Sequence, residues 1–436
     1  MKNKILLAFL LFMSILEAQE QKQNYSFSLQ QAIDYALEHN YSVINANRDI
    51  ASAKQKKRET TAAGLPQISA GLDYQRNFEI QKVIFAGQEI PLGTNHSMNG
   101  HANLSQLIFD GSYIVALQAS KTYLKYFENA KQKTNVDIKE MAINAYGNVL
   151  LAEESVAILG KNKATLSKTL ADTQETYKNG LIEEENVEQL QITLASINSN
   201  LNNTKRLLDI ATKMLKYTLG IDINDDLKLT DKLDNLTVSN LDLAFSQGEF
   251  TVTNNINYQM ASNFQVQRSL ELKLQKSKAL PSLAASVNFG YNAFNNQFEF
   301  FTQNQRWLNY SNLGVSLNVP IFSSLGRSAK TQQAKIALEQ AKTQLTETEQ
   351  QLKLQYEKTK SDYDFSIEEY ATSKSNLNLA ERIERKQQIK FTEGLSSSFD
   401  FSEAQRQLYT AQQNYLQSMV NIINKKAALE KIINKN

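Results

Sequence analysis

Apolar and polar residues alternate along four stretches of this chain. The pattern is clearest from Leu283 to Tyr291, where an apolar residue stands at every second position and small or polar residues fill the positions between them. A period of two is typical of a β-strand with one apolar and one polar face. The four predicted strands form two pairs, with residues 66–80 and 98–109 in the first pair and residues 281–293 and 307–321 in the second.

Long segments that are poor in Gly and Pro follow each strand pair. The clearest covers 65 residues, 327–391, and as an α-helix it would be about 98 Å long at 1.5 Å per residue. Leu338, Leu345 and Leu352 lie seven residues apart in it, as in the seam of a coiled coil. After a four-residue step, the spacing of seven continues at Tyr356, Tyr363, Tyr370 and Leu377. The predicted helices after the strand pairs cover residues 112–177, 181–220, 327–391 and 396–434, and a shorter helix precedes each pair.

Three landmarks of the first half return in the second half in the same order and at nearly the same distance. AGLPQISAGLDY, which contains Pro66, returns as KALPSLAASVNF, which contains Pro281. LSQLIF returns as LNVPIF, and YKNGL returns as FTEGL. Such self-similarity indicates a tandem duplication. We therefore expect two structural repeats, residues 19–238 and 239–436, each built as a helix, a strand pair, a long helix and a second helix.

Composition supports a protein built from long helices. Of 436 residues only 15 are Gly and 4 are Pro, so turns are few. The absence of Cys excludes disulfides, a thiolate metal site and a Cys nucleophile, and 47 basic against 45 acidic residues indicate no nucleic-acid partner. The histidines, His39, His96 and His101, have no i, i+4 helical spacing; a metal bound by His96 and His101, which flank a strand, is the disfavoured alternative. We expect no enzyme activity, no metal and no cofactor.

The beginning of the chain has the pattern of an export signal. Lys2 and Lys4 precede a twelve-residue, mostly apolar stretch that is too short to span a bilayer as a helix. We therefore expect residues 1–18 to be a signal peptide. The remaining chain has no apolar run long enough for a transmembrane helix, so the exported protein is either soluble outside the cytoplasm or inserted as strands.

The strands alone leave both of these structures open. Amphipathic strands suit either a half-buried sheet in water or a barrel with lipid outside and water inside. The export signal and the very long helices attached to the strands favour the membrane. Four strands cannot close a barrel, because single-chain barrels begin at about eight strands and open edges are not tolerated in lipid. Membrane strands would therefore require several copies of this chain to share one barrel.

The order and spacing of these elements resemble the TolC-like outer-membrane efflux protein family, also called outer membrane factors. The resemblance covers the duplication, the strand pairs after Pro66 and Pro281, the long helices and the Gly-Leu turns. It implies a mainly α fold with membrane β-strands, in which three chains share a 12-stranded outer-membrane barrel continued by a long coiled-coil α-helical tunnel through the periplasm of a Gram-negative bacterium.

The resemblance also implies a function and partners. It indicates a passive exit duct of a tripartite efflux or type I secretion system, assembled as a homotrimer in outer-membrane lipid. The expected partners are a periplasmic membrane-fusion adaptor protein and an inner-membrane transporter. The cargo stays open among drugs, metal ions and secreted proteins.

Two Gly-Leu turns are the candidate partner contacts. Gly180-Leu181 and Gly394-Leu395 each follow a long predicted helix, where Gly is a common C-terminal cap. In the family the equivalent turns form the periplasmic tip that the adaptor grips. The resemblance therefore implies that these four residues are adaptor contacts.

Two carboxylates after the second turn are the candidate aperture residues. Asp400 and Glu403 lie where similar ducts carry acidic residues around the periplasmic opening, and a trimer would present six such groups. An acidic residue in the first turn of a helix also complements the helix dipole, so a purely local role is the alternative. The equivalent positions of the first half hold Asn186 and Gln189.

The chain departs from the family at the tip. Better-known members hold the closed tip with a tyrosine, an arginine and an aspartate, and the matching positions here are Phe391, Ser396 and Asn186. The contacts that hold the tip closed must therefore differ.

A second interpretation competes with the duct. A soluble periplasmic coiled-coil adaptor or structural scaffold would also be exported and rich in long helices. Adaptors usually have one helical hairpin, whereas this sequence predicts two hairpins and four amphipathic strands. A water-soluble mature protein would favour this alternative.

Overall fold

The computed structural model describes residues 23–242 and 250–433. The predicted signal peptide, residues 1–18, lies outside the described residues. The chain divides into two compact units. Among the described residues, the helical unit comprises residues 23–47, 131–242, 250–258 and 349–433, and the strand unit comprises residues 48–130 and 259–348.

The described part of the chain contains eight α-helices, eight strands and one short 3-10 helix, Val252–Asn254. The helices are α1 (Leu29–His39), α2 (Tyr41–Ala62), α3 (Gly111–Lys178), α4 (Glu184–Leu219), α5 (Leu233–Asn240), α6 (Ile256–Ser277), α7 (Gly326–Thr392) and α8 (Ser398–Ile433). The strands are β1 (Asn24–Phe27), β2 (Gln67–Arg76), β3 (Lys82–Phe85), β4 (Gln88–Pro91), β5 (His96–Asp110), β6 (Asp226–Leu229), β7 (Ser282–Asn295) and β8 (Trp307–Asn318). No helix among the described residues is long and apolar enough to cross a membrane.

The strand unit contains one four-stranded antiparallel sheet in the order β2-β5-β7-β8. Its two edge strands, β2 and β8, each pair on one side only. The strands differ from the sequence prediction at their ends, since β2 stops at Arg76 and β8 at Asn318. The segment between β2 and β5 contains the hairpin β3-β4, which the strand pattern of the sequence did not predict.

The middle rows of the four-stranded sheet are apolar on one face and polar on the other. Residues paired across the strands form rows, and one row consists of Ile68, Leu104, Val287 and Leu313. The neighbouring row on the other face consists of Ser69, Asn103, Asn288 and Asn312. In the apolar row, Ile68 is 80% exposed and Leu313 73% exposed. The sheet thus presents an apolar face that the described part of the chain leaves exposed at this row, whereas Met98 and Ala293 at one end of the same face are buried with Phe300.

The main hydrophobic core lies in the helical unit, around the middle of α3 and the end of α8. The fully buried Tyr146 on α3 donates its hydroxyl hydrogen to the Phe27 carbonyl oxygen at 3.0 Å and also contacts the Asp231 carboxylate at 3.0 Å. This contact ties the strands β1 and β6, which form a short parallel pair, to the long helix.

A second fully buried tyrosine has the equivalent role on α7. The Tyr363 hydroxyl donates to the Asn240 carbonyl oxygen at 2.7 Å and accepts from the Asp242 amide nitrogen at 3.1 Å. Leu352 and Tyr356 of the predicted coiled-coil seam are also buried. The seam of α7 therefore serves two purposes in the helical unit, since it packs against α8 and holds the segment after α5.

Candidate functional site

The turn between α3 and α4 is a left-handed glycine cap. Gly180 has φ +70°, a conformation that costs a side-chain-bearing residue about 1–2 kcal/mol. The Leu181 amide donates to the Thr176 carbonyl at 3.2 Å, and the Gly180 amide donates to the Tyr177 carbonyl at 2.8 Å. These bonds satisfy the last carbonyl groups of α3, as in a Schellman motif.

The turn between α7 and α8 has the same geometry. Gly394 has φ +71°, and the Leu395 amide donates to the Lys390 carbonyl at 2.7 Å. Leu181 and Leu395, the residues after the two glycines, are 75% and 77% exposed. The caps thus place one apolar side chain of each turn in solvent, although apolar side chains usually prefer burial.

The two turns face one cleft of about 1200 Å³. Leu181, Asn186 and Leu395 are among its lining residues. Across the cleft, the Asn186 side-chain oxygen accepts a hydrogen bond from the Ser398 amide at 3.3 Å. The structure therefore joins the α3-α4 turn region directly to the start of α8.

An aromatic pair supports the second turn from inside. Phe391 in the last turn of α7 stacks on the fully buried Phe401 of α8, with ring centroids 5.3 Å apart and planes 10° apart. The Ser396 hydroxyl contacts the Gln387 side-chain oxygen at 3.1 Å. Phe391, Ser396 and Asn186, the three positions where the sequence departs from the family, thus all contribute contacts at these turns.

Asp400 belongs to the cap of α8. The Ser397 hydroxyl donates to the Asp400 carboxylate at 2.8 Å, and the Asp400 amide donates to the Ser397 hydroxyl oxygen at 3.1 Å. The second of these bonds is an N-cap, because the Ser397 side chain satisfies a free amide in the first turn of the helix. The carboxylate is exposed and lies next to the helix N-terminus, where an acidic side chain complements the helix dipole.

Glu403 forms an ion pair one helical turn further along α8. Its two carboxylate oxygens accept hydrogen bonds from the Arg406 guanidinium at 2.7 and 2.9 Å, and one also accepts from the Gln407 amide at 3.2 Å. The hydrogen bonds from Arg406 hold the pKa of Glu403 below its usual value. Sequence reasoning missed this partner, although a spacing of three residues on a helix was the signal that could have found it.

Glu384 is a further carboxylate near these turns that sequence reasoning missed. It lies on α7 and hydrogen-bonds the buried Gln405 of α8, whose side-chain oxygen accepts from the Tyr409 hydroxyl at 3.2 Å. Burial raises the pKa of Glu384, and it also raises the pKa of Tyr409. The sequence of α7 alone gives no signal for this site, because it depends on which face of α8 packs against Glu384.

The polar face of the sheet is a separate set of hydrogen-bonding groups. His101 lies 3.3 Å from the Asp73 carboxylate and 3.0 Å from the Asn99 side-chain oxygen. Asn99 in turn contacts Asn292 and the Tyr310 hydroxyl. Within the described residues no group of three or more His, Cys, Asp or Glu side chains could hold a metal ion. The arrangement suits contact with water or a polar solute.

Comparison with known proteins finds a family model that matches part of the chain. Residues 259–435 match the family described as outer membrane efflux protein. No curated protein sequence matches the chain. The resemblance stated from the sequence is thus confirmed by the match over the second half.

Solved structures extend the similarity to nearly the whole chain. The outer membrane protein VceC from Vibrio cholerae has 16% sequence identity and a TM-score of 0.75, covering 93% of this chain and 95% of its own. The Campylobacter jejuni outer membrane channel CmeC has 16% identity and a TM-score of 0.75, with coverages of 96% and 90%. CusC has 15% identity and a TM-score of 0.76, with coverages of 95% and 95%. The chain therefore has the fold of the outer-membrane efflux channels.

Proposed function

We propose that this chain, whose residues 259–435 belong to the outer membrane efflux protein family, is the outer-membrane exit duct of a tripartite efflux or type I secretion system. The observation that carries the proposal is the four-stranded sheet, with an exposed apolar face and a polar opposite face. In a bilayer the apolar rows face lipid and the rows of Asn, Ser and Gly face water. Such a chain conducts solutes passively, which fits a channel without enzymatic activity.

The open edges of the sheet are the argument for a trimer. β2 and β8 each carry one row of unpaired backbone groups, and such groups cost several kcal/mol each in hydrocarbon. Pairing β8 of one copy with β2 of the next removes every edge. Three copies give twelve strands, within the range of known membrane barrels. The long helices continue this barrel as a tunnel into the periplasm, and the two halves of each chain contribute as duplicated repeats.

The paired turns are the proposed contact with the periplasmic adaptor. Leu181 and Leu395 offer exposed apolar side chains on caps fixed by Gly180 and Gly394. An adaptor that covers these leucines gains the free energy of burying them. The inner-membrane transporter would deliver the cargo through this adaptor.

Asp400 and Glu403 are the proposed aperture residues. The ring that they form in a trimer has a smaller net negative charge than its six carboxylates alone would give. Three copies bring six carboxylates, but Arg406 pairs with each Glu403. The ring then has a net charge of −3 (six carboxylates less three guanidinium groups). A negative ring favours cations over anions in a narrow pore.

Cell fractionation followed by native mass spectrometry tests the proposal. A detergent-extracted species from the outer membrane, with three times the mass of one mature chain, is the expected result. A water-soluble periplasmic monomer would overturn the proposal and favour the coiled-coil scaffold instead.

A further inference from the structure

The loop between β8 and α7 is the most exposed apolar segment of the strand unit. We call residues 319–325 the rim loop. Ile321 is 88% exposed and Phe322 82% exposed. Water would ordinarily drive two such side chains together or into a core.

The rim loop continues the apolar face of the sheet. Leu313, Val315 and Leu317 alternate with polar residues along β8, and Val319 and Ile321 keep the same spacing beyond the end of the strand. Whatever covers the apolar face of β8 therefore also reaches the loop.

Arg327 fixes the shape of the rim loop. Its guanidinium donates to the carbonyl oxygens of Pro320 at 2.8 Å and Ile321 at 3.1 Å, and to the Ser323 hydroxyl oxygen at 3.1 Å. Ser324 and Leu325 have positive φ values of 47° and 65°, which side-chain-bearing residues rarely adopt. The clamp therefore holds a strained loop that keeps its apolar side chains in the open.

Basic residues surround the same edge of the sheet. Hydrogen bonds and strand pairing bring the end of α2, the end of α6 and the start of α7 to this edge, through Tyr113–Thr61, Ser277–Ser112 and Ser282–Asn318. Residues 54–62, 271–278 and 326–335 contain ten basic and two acidic side chains, a net charge of +8 in a chain whose total is +2. Glu59 and Glu271, the two acids, pair with Lys56 and Arg268. The basic residues are Lys54, Lys56, Lys57, Arg58, Lys273, Lys276, Lys278, Arg327, Lys330 and Lys335.

We propose that the rim loop and these basic helix ends form an interfacial site for a phospholipid leaflet with anionic headgroups. Ile321, Phe322 and Leu325 enter the acyl boundary, and the lysines of the three helix ends contact phosphates, while Arg327 holds the loop and adds its positive charge. Apolar insertion beside basic charge is the combination that binds anionic bilayer surfaces. The inference rests on the proposed membrane position of the sheet.

Depth-dependent fluorescence quenching tests the site in reconstituted protein. Trp307 is the only tryptophan, so Trp307→Phe gives a silent background. Phe322→Trp then reports on the rim loop, and Leu313→Trp reports on the apolar face of the sheet. In vesicles of brominated phospholipid we expect quenching of both reporters. Quenching at position 313 without quenching at 322 would overturn the rim-loop site alone, whereas no quenching at either position would overturn the membrane sheet itself.

Lipid mixtures test the headgroup preference. With equal amounts of anionic and zwitterionic lipid, bromine on the anionic lipid should quench Phe322→Trp more strongly than bromine on the zwitterionic lipid. Each basic residue near an anionic surface favours it about five-fold. The combined variant Lys57→Gln, Lys276→Gln and Lys330→Gln should bring the two quenching values close together.

A matched control and a loop variant complete the test. Neutralising Lys168, Lys205 and Lys213, three lysines of the helical unit, should leave the preference for anionic lipid unchanged. Arg327→Lys keeps the charge but loses the forked hydrogen bonds, so quenching at position 322 should weaken while quenching at 313 stays. Equal quenching by both lipids in the parent reporter would refute anionic recognition.

Discussion

The two glycines Gly394 and Gly160 allow a paired test of the turn geometry. Both positions have nothing within 4 Å of an added Cβ atom, so a substitution by Ala changes backbone preference and not packing. Gly394 has φ +71° at the end of α7, whereas Gly160 lies inside α3. The same chemical change should therefore have opposite effects at the two sites.

The magnitudes follow from the backbone alone. Ala in the left-handed region costs about 1–2 kcal/mol, so Gly394→Ala should open its turn about 5- to 30-fold more often. Ala inside a helix is favoured over Gly by about 0.8–1.0 kcal/mol, so Gly160→Ala should open the surrounding helix about 4- to 5-fold less often.

Hydrogen exchange measured by mass spectrometry reports how often each of these segments opens. In Gly394→Ala, the amide of Leu395, which donates to the Lys390 carbonyl, should exchange faster. The equivalent amide of Leu181 in the unchanged turn is the internal control. Unchanged exchange at Leu395, or a change of the same sign in both variants, would refute the assignment of this cap.

Three further predictions concern buried and charged groups. Tyr363→Phe should lower the free energy of unfolding by about 1–3 kcal/mol, because the Asn240 carbonyl oxygen loses its buried hydrogen-bond donor. An unchanged melting curve would contradict this prediction. Arg406→Gln should raise the cation selectivity measured from reversal potentials in planar bilayers, and Glu403→Gln should lower it, since the pair sets the aperture charge; equal reversal potentials would contradict the placement of this pair. Glu384 has a raised pKa in the folded chain, so its contribution to stability is present below the unfolded pKa and is lost as pH rises through the folded value. Glu384→Gln should therefore stabilise the protein above that value and flatten the dependence of melting temperature on pH; parallel melting curves would contradict the burial of this carboxyl.

The sequence indicated the long helices and the sheet because their signals are periodic and local. The alternation from Leu283 to Tyr291 and the absence of Gly and Pro over residues 327–391 predict β7 and α7 without knowledge of any partner. The hairpin β3-β4 was not predicted, because its strands are only four residues long and their apolar and polar residues do not alternate. The parallel pair β1-β6 escaped because Asn24 pairs with Asp226, far along the chain, and neither short strand is apolar enough to be recognised alone.

The candidate site likewise has local features that the sequence predicts and long-range contacts that it does not. The glycine caps and the carboxylates of α8 are visible in sequence because each is defined by residues a few positions apart. The contact between Asn186 and Ser398 joins residues 212 positions apart, and Gln405 meets Glu384 across two helices. Such contacts depend on how helices pack, which spacing along one helix does not define.

The unpaired edges of β2 and β8 make the newly synthesised chain vulnerable before it assembles. Until neighbouring copies meet, both edges and the apolar face of the sheet are open to any passing strand or protease. Assembly requires encounters between chains, so its speed depends on how many chains are present at once. A cell that makes this protein slowly should therefore lose a larger fraction of it to degradation before assembly than a cell that makes it in a burst.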